Sequence, residues 1–218
     1  MRIFRCQKGL IRTRTKRNWV ANFCVVIALL ISIPAQASSQ IEAANRLIEA
    51  MVKDVEGYLS ADSGDISQRK ENITQLLDTH FDIPGIARFS AGPYWRAANE
   101  GERVTYTQAM REALIGIIAR NFDQLIGLRF TVIDSQVKGT SMVLVRGTFR
   151  DKAGKRPPVS VGWRVVTPYP APAKVLDVEI ENISMLITQK QENIAIIRKN
   201  GGRFSALIEA IKQRQQTQ

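Results

Sequence analysis

Apolar residues recur at three- and four-residue spacings through the first half of the chain. This spacing predicts an amphipathic helix over residues 41–59, a second helix from Asp65 onward and a long helix over about 100–126. Asp65 is a suitable N-cap, and Gly127 is suited to end the long helix. The first half of the chain is therefore predicted to be helical.

A segment rich in proline and glycine, FDIPGIARFSAGPYWR at 81–96, lies between the second helix and the long helix. Proline suits the beginning of a helix, so the segment is predicted to form two short helices over 84–90 and 93–98. Four aromatic residues and two isoleucines are gathered around these kinks.

After the long helix the apolar period changes to two. Four stretches rich in β-branched and aromatic residues are predicted to be strands, at 128–137, 140–150, 158–166 and 174–181. Turn residues at 138–139 and 151–155 predict antiparallel hairpins. Two helices, about 183–199 and 203–214, end the chain. The predicted fold class is α+β, with a mainly antiparallel, strongly curved four-stranded sheet and helices packed on one face.

The first 37 residues differ in character from the rest. They begin with seven basic residues and no acidic one, and an apolar run, FCVVIALLISI at 23–33, follows. Eleven residues are too few to span a bilayer as a helix, and Ala35 and Ala37 provide the small residues of a cleavage site. A cleaved signal peptide over 1–37 and a single domain over 38–218 are predicted, with an uncleaved anchor as the alternative.

Cleavage would change the charge and cysteine content considerably. The whole chain carries 31 basic and 20 acidic residues, a net charge of +11, but seven of the basic residues belong to the predicted signal peptide. Both cysteines, Cys6 and Cys24, lie there as well. The remaining domain has a small positive charge and no thiol, so neither nucleic-acid binding nor disulfides are predicted.

The predicted domain offers few groups for catalysis. His80 is its one histidine, and we interpret it as a hydrogen-bonding or surface residue, with a lone general base as the alternative. Asp177, Glu179 and Glu181 alternate along a strand, which favours the solvent-exposed face of a half-buried strand over paired catalytic carboxylates. The protein is predicted not to be an enzyme, without metal or cofactor.

Two other features have more than one interpretation. The turn RDKAGKR at 150–156 carries four positive charges, and it is either a solubilising hairpin tip or a contact for anionic lipid or an acidic partner. The strand at 158–166 and the long helix supply more apolar surface than a two-layer contact needs. That surplus either fills a core or lines an internal cavity.

Four stretches together resemble one family. They are 81–96 above, VRGTFRDKAGKRPPVSVGWRV at 145–165, KVLDVEIENISMLITQKQE at 174–192 and IIRKNGGRFSALIEAI at 196–211. The chain resembles the MlaC family of periplasmic phospholipid-binding proteins, also called toluene-tolerance auxiliary components, with its hopanoid-associated, HpnM-like branch as an alternative. Asn182, where the family usually has glycine, and Asn193, where an aromatic residue is common, depart from the pattern.

The resemblance implies a function and a set of partners. It implies a periplasmic carrier that binds phospholipid acyl tails in an apolar pocket between sheet and helices. Such a carrier shuttles lipid between the outer membrane and an inner-membrane ABC transporter, and so maintains outer-membrane lipid asymmetry. The implied partners are an outer-membrane lipoprotein complex and the transporter with its substrate-binding ring; a monomer is expected. The alternatives are a carrier of hopanoid or other terpenoid lipid, a protein-interaction module and a small periplasmic hydrolase.

Strand parity and helix phase predict which residues would line such a pocket, with segment 81–96 as a kinked wall over the tails. The candidate lipid-binding residues are Phe89, Tyr94, Trp95, Leu114, Ile118, Phe122, Phe130, Val143, Val145, Val161, Trp163 and Val165, with Ile183 and Met185 at the mouth.

Overall fold

The computed structural model describes residues 33–61, 64–168 and 170–217, with side chains from residue 37 onward. In this described part of the chain, no helix is both long enough and apolar enough to cross a membrane.

The chain divides into two units, Met1–Ala37 and Ser38–Gln218. Residues 1–32 of the predicted signal peptide lie outside the described residues. Cleavage after Ala37, and with it the division into signal peptide and domain, therefore stays a prediction.

The fold class is α+β, as predicted, with the strands grouped between two sets of helices. The elements in chain order are α1 (Ile33–Ser60), α2 (Ile66–His80), α3 (Ile83–Ser90), α4 (Tyr94–Ala97), α5 (Glu100–Arg120), a 3₁₀ helix (Phe122–Leu125), β1 (Leu128–Val137), β2 (Met142–Asp151), β3 (Val159–Val166), β4 (Lys174–Ile180), β5 (Ile183–Ser184), α6 (Met185–Lys199) and α7 (Ser205–Gln216).

Side-chain caps fix where several helices begin. The Asp65 carboxylate accepts a hydrogen bond from the Ser67 backbone N–H at 2.9 Å, as the sequence predicts. At the start of α5, Asn99 and Glu102 form a reciprocal capping box, which satisfies two backbone donors that the helix leaves unpaired. Local sequence therefore determines these two helix starts.

The long helix ends earlier than predicted, at Arg120. The Asn121 side chain donates to the carbonyl oxygen of Ile117 at 2.8 Å, and the chain then tightens into the 3₁₀ helix Phe122–Leu125. Gly127 has a φ of +78°, which a side chain would disfavour, and it turns the chain into β1 rather than ending α5.

The sheet has the order β1-β2-β3-β4-β5, and every neighbouring pair is antiparallel. The register shifts at two places, where Ile133 on β1 and Leu176 on β4 each add one residue that has no partner on the neighbouring strand. Bulges of this kind bend a strand and increase its twist. They account for the curvature that the sequence analysis predicts.

The sheet has five strands, so the prediction of four is wrong. Glu181 and Asn182 have φ values of 50° and 64°, and they form a two-residue turn that folds β5 back onto β4. The predicted helix over 183–199 therefore begins only at Met185, where the Ser184 hydroxyl accepts from the Ile187 N–H. Asn182 takes the left-handed conformation that asparagine tolerates, as expected from its place in the family pattern, but the sequence did not indicate the second positive φ at Glu181 or the strand β5 that follows.

The two faces of the sheet differ in chemistry. One face is apolar, and the register places Val145, Trp163 and Val178 in one row across three strands. The other face carries ion pairs, including Asp134 with Arg146 at 2.7 Å. The Arg146 guanidinium holds the pKa of the Asp134 carboxyl below its usual range. The helices pack on the apolar face, as predicted.

The buried side chains form two separate clusters rather than one. The helical core lies among α2, α3, α5, α6 and α7 and includes Ile73, Leu77, Tyr106, Met110, Phe122, Ile197, Phe204 and Leu207. The sheet core lies between α1 and the apolar face of the sheet and includes Ala44, Ile48, Met51, Val143, Val145, Val161, Trp163, Val165 and Val175. Helices and sheet are thus each packed, but with distinct centres.

Gly147 on β2 is a close-packing point that we expect to be intolerant of substitution. A Cβ there would lie 2.4 Å from Phe130 Cζ and 2.5 Å from the Thr131 carbonyl oxygen. Because neither atom can move freely, Gly147→Ala should lower the free energy of unfolding by about 1–3 kcal/mol in urea titrations. Gly57→Ala in α1, which meets no atom within 4 Å, should instead raise it by about 0.5–1 kcal/mol. A Gly147→Ala protein as stable as the wild type would contradict this packing.

Candidate functional site

A cavity of about 1170 Å³ lies between the sheet core and the helical core. Small-molecule pockets typically measure about 300–1,000 Å³. The wall is mostly apolar and comes from both sides of the fold, chiefly Met51, Val52, Val55, Leu76, Leu77, Leu114, Ile117, Ile118, Phe130, Phe149, Val159, Val161, Trp163, Val178, Met185, Leu186 and Ile211. Such a space suits a large apolar ligand, because few directional contacts are offered.

Small residues on α5 and aromatic residues on the sheet together leave this space open. Ala113 and Gly116 line the cavity on the α5 side, where larger side chains would fill it. On the sheet side the Phe130 ring packs edge-on against Trp163, with ring centroids 6.1 Å apart. The absence of a side chain at Gly147 lets the Phe130 ring lie close to the sheet. The cavity therefore follows from a particular choice of side-chain sizes.

Charged and polar side chains border the cavity where α2, α5 and the 3₁₀ helix meet. Lys70, Arg120 and Gln124 line it and are exposed to solvent, as is Ile117. A Cβ at Gly116 would lie 3.1 Å from an Arg120 guanidinium nitrogen, so the Arg120 side chain folds back along α5. We call these four side chains, Lys70, Ile117, Arg120 and Gln124, the α5 rim.

A buried polar network includes two residues of the cavity wall, Tyr106 and Asn193. The Asn193 amide donates to the Tyr106 hydroxyl at 2.8 Å and to the Ser90 carbonyl oxygen at 3.2 Å. The Tyr106 and Ser90 hydroxyls lie 2.7 Å apart. Burial raises the pKa of Tyr106 to about 12, although its hydrogen bonds to Ser90 and Asn193 oppose the shift. The unusual asparagine at 193 is thus fully paired and ties α6 to α3 and α5.

Six of the fourteen candidate residues lie on the cavity wall. They come from the long helix, the sheet and the start of α6, and they are Leu114, Ile118, Phe130, Val161, Trp163 and Met185. The structure thus brings together candidates from three separate elements. That these side chains contact a ligand stays a prediction.

Four other candidates lie in the cores and not on the cavity wall. Phe122, Val143, Val145 and Val165 are at most 1% exposed. Strand parity placed the three valines on the correct face, but they belong to the part of it that α1 covers through Ala44 and Ile48. Phe122 follows the break after α5 and packs in the helical core.

The kinked segment 81–96 is not a wall over the cavity, contrary to the prediction. Phe89 is exposed, with the Lys190 ammonium 4.6 Å from its ring centroid. Tyr94 and Trp95 pack at the edge of the helical core. From the whole segment only Phe81 and Ile86 line the cavity. The kinks instead bring α3 against α5 and α6, which explains their apolar content.

Ile183, predicted at the mouth, lies on the surface of the β4–β5 hairpin and not on the cavity wall. It is 59% exposed. Ile183 belongs to the strand β5 and not to the start of α6, where the prediction had placed it.

The candidate catalytic side chains His80 and Asp177 form hydrogen bonds with neighbouring protein groups. His80 is buried, and its Nε2 lies 2.7 Å from Asp54 Oδ2, so the hydrogen-bonding interpretation is confirmed and the surface one is wrong. Asp177 is also buried, contrary to the prediction of a solvent-exposed face. Its carboxylate accepts hydrogen bonds from the Ser184 hydroxyl at 2.5 Å and from the Leu186 N–H at 2.9 Å. No group of three or more potential metal ligands occurs within the described ranges.

Residues 45–213 match the profile of the MlaC protein family. The chain belongs to the MlaC family. This confirms the resemblance found in the sequence, whereas nothing distinguishes the hopanoid-associated branch. No curated protein sequence matches the chain.

A solved structure shares the MlaC-family fold seen here. It is that of the phospholipid-binding protein from Ralstonia solanacearum in complex with a phospholipid. The two chains superpose with a TM-score of 0.70 at 20% sequence identity, over 78% of this chain and 94% of that one. At this identity the likeness establishes the fold.

Sequence reasoning missed the contribution of α1 and α2 to the cavity of this MlaC-family chain. Met51, Val52 and Val55 on α1, with Leu76 and Leu77 on α2, line it. The signal was present, since adjacent apolar residues at 51–52 and 76–77 widen each helix's apolar stripe beyond what one packing contact covers.

The Tyr106 network should make stability depend on alkaline pH. An exposed tyrosine ionises near pH 10, so between about pH 10 and 12 the unfolded chain loses this proton before the folded protein does. The contribution of Tyr106 to the free energy of unfolding is therefore complete below about pH 10. It falls as the pH rises, by at most about 1.4 kcal/mol per pH unit. In urea unfolding, the stability advantage of the wild type over Tyr106→Phe should shrink across this window. Tyr94→Phe serves as the control; a constant advantage of the wild type over Tyr106→Phe would contradict the assignment.

Proposed function

We propose that this protein is a periplasmic carrier that holds the acyl tails of a phospholipid in the cavity between its two cores. The observation that carries the proposal is the cavity itself, about 1170 Å³ in volume and bounded by apolar side chains. Membership in the MlaC family and the shared fold of the phospholipid-bound Ralstonia solanacearum protein support it.

The physical need for such a carrier follows from the hydrophobic effect. Each methylene exposed to water costs about 0.8 kcal/mol, so a two-tailed lipid does not cross an aqueous compartment unaided. An apolar cavity removes that cost without chemical change to the lipid. Contacts that are non-directional also permit release, which a lattice of hydrogen bonds would impede.

The polar headgroup would remain near the α5 rim, where Lys70, Arg120 and Gln124 meet solvent. No charged group needs to enter the apolar part of the cavity. This arrangement accounts for a binding site without catalytic residues, because a carrier only has to shield the tails.

The wider role is that implied by family membership. The carrier would move phospholipid between the outer membrane and an inner-membrane ABC transporter and so maintain lipid asymmetry. It would meet an outer-membrane lipoprotein complex at one end and the transporter's substrate-binding ring at the other. Export by the predicted signal peptide would place it in the periplasm, and we expect it to act as a monomer.

Solvent extraction of the purified protein followed by lipid mass spectrometry tests the cargo directly. About one diacyl phospholipid per protein is expected; a terpenoid lipid or lipid-free protein would contradict the proposal.

Filling the cavity should displace this cargo. Ala113→Trp adds an indole on the cavity wall, whereas Ala97→Trp makes the same change at an exposed position on α4 that does not line it. We expect the Ala113→Trp protein to fold, as judged by circular dichroism, and to retain at most about a third of the lipid carried by the Ala97→Trp protein. Equal lipid content in the two folded variants would show that the tails lie elsewhere.

A further inference from the structure

Four basic side chains cluster at one end of the β1–β2 hairpin. Arg129 and Arg150 lie directly opposite one another in the strand register, and Lys152 and Lys155 follow in the turn. All four are exposed. We call Arg129, Arg150, Lys152 and Lys155 the basic patch.

The patch is not neutralised by neighbouring acids. Like charges directly opposite one another on adjacent strands are destabilising. The carboxylate of Asp151 accepts from the backbone N–H groups of Lys155 and Arg156, and pairs with the Arg156 guanidinium. Across residues 37–61, 64–168 and 170–217, none of the four patch residues forms an ion pair with an acidic side chain. The positive charge is therefore available to an external anionic group.

Arg156 is the fourth basic residue of the turn RDKAGKR, and it has a different role from the patch residues. Its guanidinium donates to the carbonyl oxygens of Gln124, at 2.7 Å, and Ile126. The Lys152 N–H donates to the Gly127 carbonyl oxygen at 2.8 Å. These bonds hold the basic turn against the segment that runs from the 3₁₀ helix into β1.

That segment borders the cavity. Gln124, Leu125 and Leu128 line the cavity wall, and Ile126 between them is 53% exposed. A large apolar side chain is thus exposed next to the turn that carries Lys152 and Lys155, and next to Gln124 of the α5 rim. The same combination, an apolar side chain among basic ones, binds proteins to the surface of anionic membranes.

We propose that the basic patch and Ile126 dock the solvent-exposed border of the cavity at the α5 rim onto the surface of a bilayer that contains anionic phospholipid. The cations lie against lipid phosphates and Ile126 inserts among the headgroups. This inference rests on the proposed function, because docking shortens the path of a lipid tail between bilayer and cavity. A bilayer is favoured over an acidic protein because the patch combines unpaired cations with an exposed isoleucine beside a cavity sized for lipid.

Co-sedimentation with vesicles tests the docking surface. The purified protein, with its lipid content measured by extraction, is mixed with vesicles of phosphatidylethanolamine and phosphatidylglycerol in a three-to-one ratio, or of phosphatidylcholine alone. Binding is expected only to the anionic vesicles, and it should weaken as salt is added. Wild-type protein that fails to bind anionic vesicles at low salt would overturn the proposal and leave an acidic protein as the partner of the patch.

Two charge reversals supply a matched comparison. Lys152→Glu should weaken binding to the anionic vesicles by about tenfold or more, since each basic residue near such a surface contributes roughly fivefold. Lys138→Glu makes the same change at the opposite end of the same hairpin and should leave binding unchanged. If both variants lost the same affinity for anionic vesicles, only the net charge of the protein would matter, and the assignment of the patch would be overturned.

Ile126→Ser tests the apolar part, and lipid content separates this proposal from the carrier function. Ile126→Ser should weaken vesicle binding at high salt as well as at low salt, and no loss would refute insertion. All three variants should keep the wild-type lipid content. Lipid-loaded protein that does not bind the anionic vesicles contradicts the docking surface alone, whereas lipid-free protein contradicts the carrier function.

Discussion

An unfilled apolar space inside a protein persists only if solid packing on each side holds its walls apart. The helical core supplies one side here and the α1-covered part of the sheet supplies the other. The buried network of Tyr106, Ser90 and Asn193 reinforces the helical side by hydrogen bonds between three separate helices. The cavity therefore results from two well-packed cores that lie apart, and not from loose packing in a single core.

Curvature of the sheet is what keeps the two cores from merging. The bulges on β1 and β4 bend the apolar face, and Gly147 allows the Phe130 ring to lie close to it. On the far face, paired charges such as Asp134 with Arg146 need no covering layer. The apolar face that carries Val145, Trp163 and Val178 thus lies toward the helices, and part of it lines the cavity.

The sequence predicted most of the secondary structure, because periodicity and caps are local properties. The bounds of β1 and the N-cap at Asp65 are examples. The sequence could not show that Val161 lines the cavity and Val165 does not, because both lie on the same face of β3. Only the path of α1 decides which of them is covered. The end of α5 at Asn121 and the strand β5 after the Glu181–Asn182 turn were also missed, because an asparagine side chain that ends a helix and a positive φ at a glutamate leave little trace in composition.

The size of the cavity has a thermodynamic consequence. A ligand that fills about 1170 Å³ of apolar space binds the folded protein and not the unfolded chain, which has no such space, and it therefore stabilises the fold. Ligand binding and folding are then linked, so the melting temperature of a preparation becomes a gauge of its occupancy.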